Sequence, residues 1–324
     1  MPRLQGYCRS DRHLRKIILN GEPLPFVGIA AALDRADGLD EDVTQSLSGL
    51  EGDDLAQFQD VWRGLNGDHR LALLGLLRQA ADESAFLEFS SVYKGSLDDP
   101  DAEVRAAALS LLAEDADLGL LDSFLKSAVT DPSEEVRLAA LDGLSHFTYA
   151  AQTDGWDPES ERKLETALAG VLHLPTTSFP LRRAALLALA YLTTARSEQE
   201  IRQAHLQPDL HVTAVEAMGR NCQEIWIDDV ITEMEADDPE LRQAAAEAAA
   251  ELEDQRLIPH LLGRLKDDDD AVRRAAIKAL GATGGSDAKA ALSQLLASRN
   301  RDVREAARDA MESLLDDEDP FRAL

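Results

Sequence analysis

The 324-residue chain is short of aromatic side chains (5%), of cysteine (two) and of positive charge, with 33 basic residues against 61 acidic ones. Each scarcity excludes something. Cys8 and Cys222 stand alone and far apart, so neither a disulfide framework nor a zinc site is indicated, and two reduced thiols are expected. A formal net charge of −28 argues against a general nucleic-acid binder, because binding to phosphates rests on basic residues that release counterions. It argues equally against adhesion to anionic lipid. No stretch approaches the roughly 18 apolar residues of a membrane span. Asn20, Gly21, Glu22, Pro23 and Pro25 interrupt the apolar run that a secretory signal would need after Lys16. The expectation is a cytoplasmic protein with no nucleic-acid or membrane partner.

What the chain has in abundance is one phrase: an aliphatic residue, a base, and alanines close behind. Strong copies begin at Val104-Arg105, Val136-Arg137, Leu181-Arg182, Leu241-Arg242, Val272-Arg273 and Val303-Arg304, and weaker ones at His69-Arg70 and Leu210-His211. From base to base (Arg70, Arg105, Arg137, Arg182, His211, Arg242, Arg273, Arg304) the steps are 35, 32, 45, 29, 31, 31 and 31 residues. A period in the thirties means a stacked array, each unit burying its apolar face against its neighbours.

Within a unit the pattern predicts helix, turn, helix. A first helix, such as 118–129 or 255–266, runs to an acidic turn such as Asp98-Asp99-Pro100-Asp101 or Asp237-Asp238-Pro239. Proline suits a first helical turn, where its missing N–H costs nothing, and carboxylates there accept orphan backbone N–H groups. The second helix then carries apolar residues at 0, +3, +4, +7 and +8 from the aliphatic residue, which is one helical face. Repeated helical pairs of this length make an α-solenoid. Residues 1–50 stand outside the repeat as an N-terminal arm or cap, basic at its start, where Arg3, Arg9, Arg12, Arg15 and Lys16 face only Asp11. Residues 54–315 form the array and 316–324 an acidic tail. The 45-residue step holds an insertion around Tyr149 to Pro158, expected to project as a loop.

The D-P-x-x-x-V-R-x-A-A-x-x-A-L phrase resembles HEAT repeats, in particular the short bacterial kind found in phycobilin-lyase-type subunits. The resemblance implies an all-α, right-handed α-solenoid of about eight HEAT-like helical hairpins with an irregular N-terminal segment. It also implies hydrogen bonding, between adjacent repeats, of a turn aspartate and a following arginine. Asp99 with Arg105, Asp131 with Arg137 and Asp267 with Arg273 match at a six-residue offset, whereas Thr176, Ser298 and His211 depart from the pattern.

Recognisable catalytic signatures are incomplete in this sequence. A di-iron centre of the deoxyhypusine-hydroxylase kind would need His-Glu dipeptides, and none occurs. A glycosylase of this fold would need a basic, aromatic-lined groove. Asp267 to Asp270 lack the glycine of a calcium-binding EF-hand loop, Val272 standing in its place. Gly281-Ala282-Thr283-Gly284-Gly285 lacks the lysine of a phosphate-binding loop. His69, His211 and His260 show no cysteine or histidine at ligand spacing, so no metal and no cofactor are expected.

The sequence thus points to a non-enzymatic protein–protein scaffold or adaptor, with a subunit of a bilin lyase or isomerase-like enzyme as the alternative. On the second helices, positions +2 and +6 face away from the buried stripe and +5 lies on its flank. Leu71, Leu138, Arg183, Leu187, Val212 and Val215 are there the candidate partner-binding residues, on an apolar concave strip. Acidic turns would rim it, suiting a protein partner with a basic or amphipathic segment.

Overall fold

The computed structural model describes residues 29–34, 39, 41–114 and 116–318. The basic start of the arm, with Cys8, and most of the acidic tail lie outside the described residues. Among those described, the protein is all-α and has no strand. It divides into two compact units, residues 1–112 and 113–324.

In the first unit the helices are α1 (Ile29–Leu33), α2 (Glu41–Ser46), α3 (Gly52–Gly64), α4 (Gly67–Glu83), α5 (Ser90–Gly95) and α6 (Ala102–Ala113). Two helical pairs, α3 with α4 and α5 with α6, carry the first two copies of the phrase. Ile29, Ala32, Leu47 and Leu50 are all buried, so the end of the expected arm is a packed cap, with α1 lying on α4.

The second unit holds six hairpins. They pair α7 (Leu121–Thr130) with α8 (Glu134–Asp154), α9 (Pro158–His173) with α10 (Phe179–Leu189), and α11 (Ala195–His205) with α12 (His211–Asn221). Then come α13 (Ile227–Met234) with α14 (Pro239–Leu252), α15 (Ile258–Arg264) with α16 (Asp270–Thr283), and α17 (Ser286–Leu295) with α18 (Arg301–Glu318). Second helices pack on second helices in succession, α12 on α14, α14 on α16 and α16 on α18. First helices likewise follow one another, α13 on α15 and α15 on α17. That nearest-neighbour order is the α-solenoid.

Local chemistry explains each hairpin. Asp157, Asp238 and Asp269 cap their helices by accepting backbone N–H bonds from the first turn, as at Asp269 Oδ1 from Ala271 N at 2.7 Å and Val272 N at 3.2 Å. The aliphatic leaders Val104, Val136, Leu181, Leu210 and Val272 are all buried. Alanines behind them permit close approach, and Gly219 and Gly281 carry this furthest. A Cβ at Gly219 would lie 2.6 Å from Ala248 Cα, and one at Gly281 2.7 Å from the Ala310 carbonyl oxygen. Each glycine stands nine residues after its aliphatic leader, so adjacent second helices touch backbone to backbone at one register.

The expected loop at 149–158 is corrected. Helix α8 continues unbroken to Asp154 and stops at Gly155, whose φ of +69° gives the left-handed turn that ends it. Trp156 then folds back edge-on against Phe147, ring centroids 5.9 Å apart. Helix propensity through Tyr149 and Ala151 and this aromatic anchor turn the insertion into two further helical turns.

Candidate interaction surface

A recurring contact is made at the turn between the two helices of several hairpins. Arg105 Nη1 donates to the carbonyl oxygens of Asp99 (2.8 Å) and Pro100 (3.2 Å). Arg242 Nη1 does the same with Ala236 (2.9 Å) and Asp237 (2.8 Å), and Arg273 with Asp267 O. The six-residue hydrogen bond implied by the resemblance is present at Asp99–Arg105 and Asp267–Arg273, with the main-chain carbonyl of the aspartate as its acceptor. Its carboxylate is occupied elsewhere. One oxygen caps the N–H two residues on, in Asp99, Asp131 and Asp267 alike. In Asp99 and Asp267 the other takes the arginine of the preceding repeat, Arg70 to Asp99 at 3.2 Å and Arg242 to Asp267 at 2.8 Å. Arg137 instead reaches Ala128 O at 3.2 Å.

Because the in-repeat bond uses a carbonyl, any residue can supply it. Arg304 Nη1 accordingly donates to Ser298 O at 2.6 Å, despite the missing aspartate. Arg182 reaches forward to Asp209 (2.5 Å) and Gln207.

The candidate strip is largely filled. Leu187 (4% exposed) and Val215 (0%) belong to the core running from Leu172 to Leu314, together with Leu186 and Ala246. They are corrected from surface to core, because the neighbouring second helices close over the inner flank. Leu71, Leu138 and Val212 are half-buried, and Val212 packs against that same core. Arg183 is exposed and ion-paired with Glu216 at 2.7 Å.

Exposed aliphatic side chains gather elsewhere, at the edge formed by the within-hairpin turns of the second unit. Val129, Leu174 and Leu296 each stand seven residues before the aliphatic leader, where the first helix ends, and each is 41% exposed. Leu206, directly after α11, is 83% exposed, and Phe179 at the start of α10 is 48% exposed. Stacking of hairpins puts this register on one edge, among the exposed carboxylates of Glu134, Glu135, Asp209, Asp237 and Asp270. Periodicity reports the face that an isolated helix buries and so missed this row. The signal was a hydrophobic residue seven positions before the aliphatic leader, at Val129, Leu174 and Leu296.

At the same edge the fold assembles a cluster that sequence spacing did not reveal. His205 at the end of α11 and His211 at the start of α12 both direct Nε2 at one oxygen of Glu233, at 2.8 and 3.0 Å. Their rings meet edge to face at 4.6 Å between centroids. Glu233 comes from the next repeat, 22 residues beyond His211. His211 occupies the position that is arginine in the strong copies.

Stacked hairpins linked turn to turn define a helical-repeat protein of the α-solenoid class. Residues 227–312, spanning α13 to most of α18, match the family of HEAT repeats. A search of curated proteins found no match. Among solved structures, the chain is similar to the complex of CpcE and CpcF of phycocyanin lyase from Nostoc sp. PCC7120, at 20% identity and a TM-score of 0.45, over 69% of this chain and 94% of that one. It is similar to YibA of E. coli at 16% identity and a TM-score of 0.45, over 86% and 99% of the two chains. The complex of Kap95p with RanGDP gives 16% identity and a TM-score of 0.44, over 94% of this chain and 43% of that one. No helix among the described residues is long and apolar enough to cross a membrane.

Proposed function

We propose that this chain is a non-enzymatic scaffold that binds a partner protein along the turn edge of its second unit. The carrying observation is a set of apolar side chains left open to water beside the within-hairpin turns of four of the six hairpins described in the second unit: Val129, Leu174, Phe179, Leu206 and Leu296. Large apolar side chains left exposed on one side of a protein are characteristic of interaction sites. The acidic turns beside them suit a partner segment that is basic and amphipathic, since opposite charge speeds encounter and apolar anchors hold the complex. A HEAT-type stack favours such a role, because its rigid repeats present one surface many times over.

The test is site-specific photo-crosslinking in native cells, with a photoreactive amino acid at Leu174, at Leu206, at Leu138 on the inner face, or at Glu224 on the opposite edge. The expected result is one protein crosslinked from Leu174 and Leu206 and not from Glu224. Crosslinking from Leu138 alone would move the site to the inner face, where a Leu138→Asp/Val212→Asp variant should then abolish binding. Loss of the partner from a folded Leu174→Asp/Leu206→Asp variant would establish the edge. Equal crosslinking at all four positions would refute a defined site.

A further inference from the structure

We propose that His205, His211 and Glu233 form a three-ligand site for a divalent transition cation of the zinc class. The argument begins with charge. The Glu233 carboxylate is buried (7% exposed), and its only ion-pair partners among the described residues are the two imidazoles. A buried carboxylate is normally matched by a full positive charge or by a metal. Glu200, the buried carboxylate one repeat earlier, meets that requirement with Arg196 at 3.9 Å besides His173 at 2.7 Å. Glu233 has no such guanidinium. The nearby arginines are engaged elsewhere: Arg182 with Asp209 and Gln207, and Arg202 with Glu198, Asp229 and the Trp226 ring.

Geometry agrees. One ligand atom from each of the three residues lies within 4.8 Å of the others. Ligands about 2.0–2.1 Å from a tetrahedral zinc ion are separated by about 3.4 Å. The two imidazole-to-carboxylate hydrogen bonds, at 2.8 and 3.0 Å, therefore need to open by only about 0.5 Å for the ion to take the place of the shared protons. Both imidazole side chains are partly solvent-accessible, at 23% and 31%, which gives the ion an entry path and leaves a fourth position for water or a partner's side chain. Two imidazoles and one carboxylate favour Zn²⁺, Co²⁺, Ni²⁺ or Cu²⁺ over Mg²⁺ or Ca²⁺. Bound there, the ion would tie the α11–α12 hairpin to α13 of the next repeat.

The experiment titrates the purified full chain with Zn²⁺ against a chromophoric chelator, and with Co²⁺ while recording its visible absorption. One ion per chain is expected, with d–d bands of low-coordinate cobalt and a Tm that rises with Zn²⁺ and not with Mg²⁺. His205→Ala and Glu233→Gln should each weaken binding by more than about a hundredfold, beyond what loss of an outer-sphere partner produces. His260→Ala, a histidine outside the cluster, should bind as the parent does. Circular dichroism of the metal-free variants separates lost ligands from lost fold, and the isosteric Glu233→Gln keeps a hydrogen-bond acceptor in place. Absence of stoichiometric binding, or full retention of it in both cluster variants, would overturn the site and leave a hydrogen-bonded cluster only.

Discussion

Arg242 and Asp267 form a bidentate ion pair across 25 residues, Nε to Oδ2 and Nη2 to Oδ1 both at 2.8 Å, with the two side chains 14% and 4% exposed. This pair joins the turn of one repeat to the turn of the next. The planar guanidinium satisfies both carboxylate oxygens while its third nitrogen holds the carbonyls of its own turn. Arg242→Met should lower stability by about 2 kcal/mol, since it leaves a largely buried carboxylate with the Asp269 N–H and, as its one remaining ion-pair partner among the described residues, Arg264 at 3.4 Å. Urea unfolding of the two proteins measures it.

The same pair sets an acid response. The hydrogen bond from Arg242 is the main reason that the Asp267 carboxyl is held below the ordinary carboxylate range. The folded protein therefore binds that proton less readily than the unfolded chain. Its stabilising effect is fully present above the unfolded pKa of about 3.9 and is lost as pH falls through the lower folded value. Asp267→Asn should flatten the acid limb below about pH 4, measured as the difference in urea midpoint between parent and variant from neutral to acid pH. Equal slopes would show that the pair makes no differential contribution.

Asn221 joins two repeats through main chain. Its Nδ2 donates to Ala190 O (2.8 Å) and Leu192 O (3.0 Å), and its Oδ1 accepts from the buried Trp226 indole N–H at 2.7 Å. Asn221→Ala leaves an indole N–H and two carbonyls without their bonds, for an expected cost of about 3 kcal/mol. Thermal unfolding followed by circular dichroism measures this. Asn221→Asp should be similarly harmful, because a carboxylate cannot donate to the two carbonyls.

Gly219 offers a packing test. Even one methyl group there would meet Ala248 Cα at 2.6 Å, so Gly219→Ala should destabilise by about 1–3 kcal/mol despite alanine's better helix propensity. At Gly170, exposed in the last turn of α9 with open space around its Cα, the same change should stabilise by up to about 1 kcal/mol. Opposite signs at the two glycines in denaturant midpoints would confirm backbone contact between second helices.

Glu253 ends α14 with φ of +50°, in the place where α16 has Gly284 at +69°. A non-glycine residue in the left-handed region carries a conformational cost of about 1–2 kcal/mol. Glu253→Gly should therefore raise stability by about 0.5–1 kcal/mol after allowance for the greater freedom of glycine in the unfolded chain. A rise in Tm is the expected readout, and a fall would mean that the turn already suits glutamate.

Several features were legible in the residues themselves. The burial of Val104, Val136, Leu181, Leu210 and Val272 follows from periodicity, and the capping by Asp238 and Asp269 from turn chemistry. These are local matters, decided within about one helical turn. Leu187 and Val215 went the other way: an isolated helix would expose or half-expose them, and the neighbouring repeats bury them. The segment 149–154 stayed helical because nothing before Gly155 stops it, whereas a longer step between repeats reads only as extra residues.

The amino-acid sequence by itself therefore determined the repeat, its helices, its turns and the position of every interior aliphatic leader, because helix period and capping act between residues close in the chain. Tertiary structure alone decided which partner each turn residue takes. Arg242 chooses a carboxylate 25 residues on, and His205 and His211 meet Glu233 across the repeat boundary. Such pairs depend on how one hairpin is set against the next, which is fixed by close packing at points such as Gly219 on Ala248 and leaves no spacing in the chain to be read.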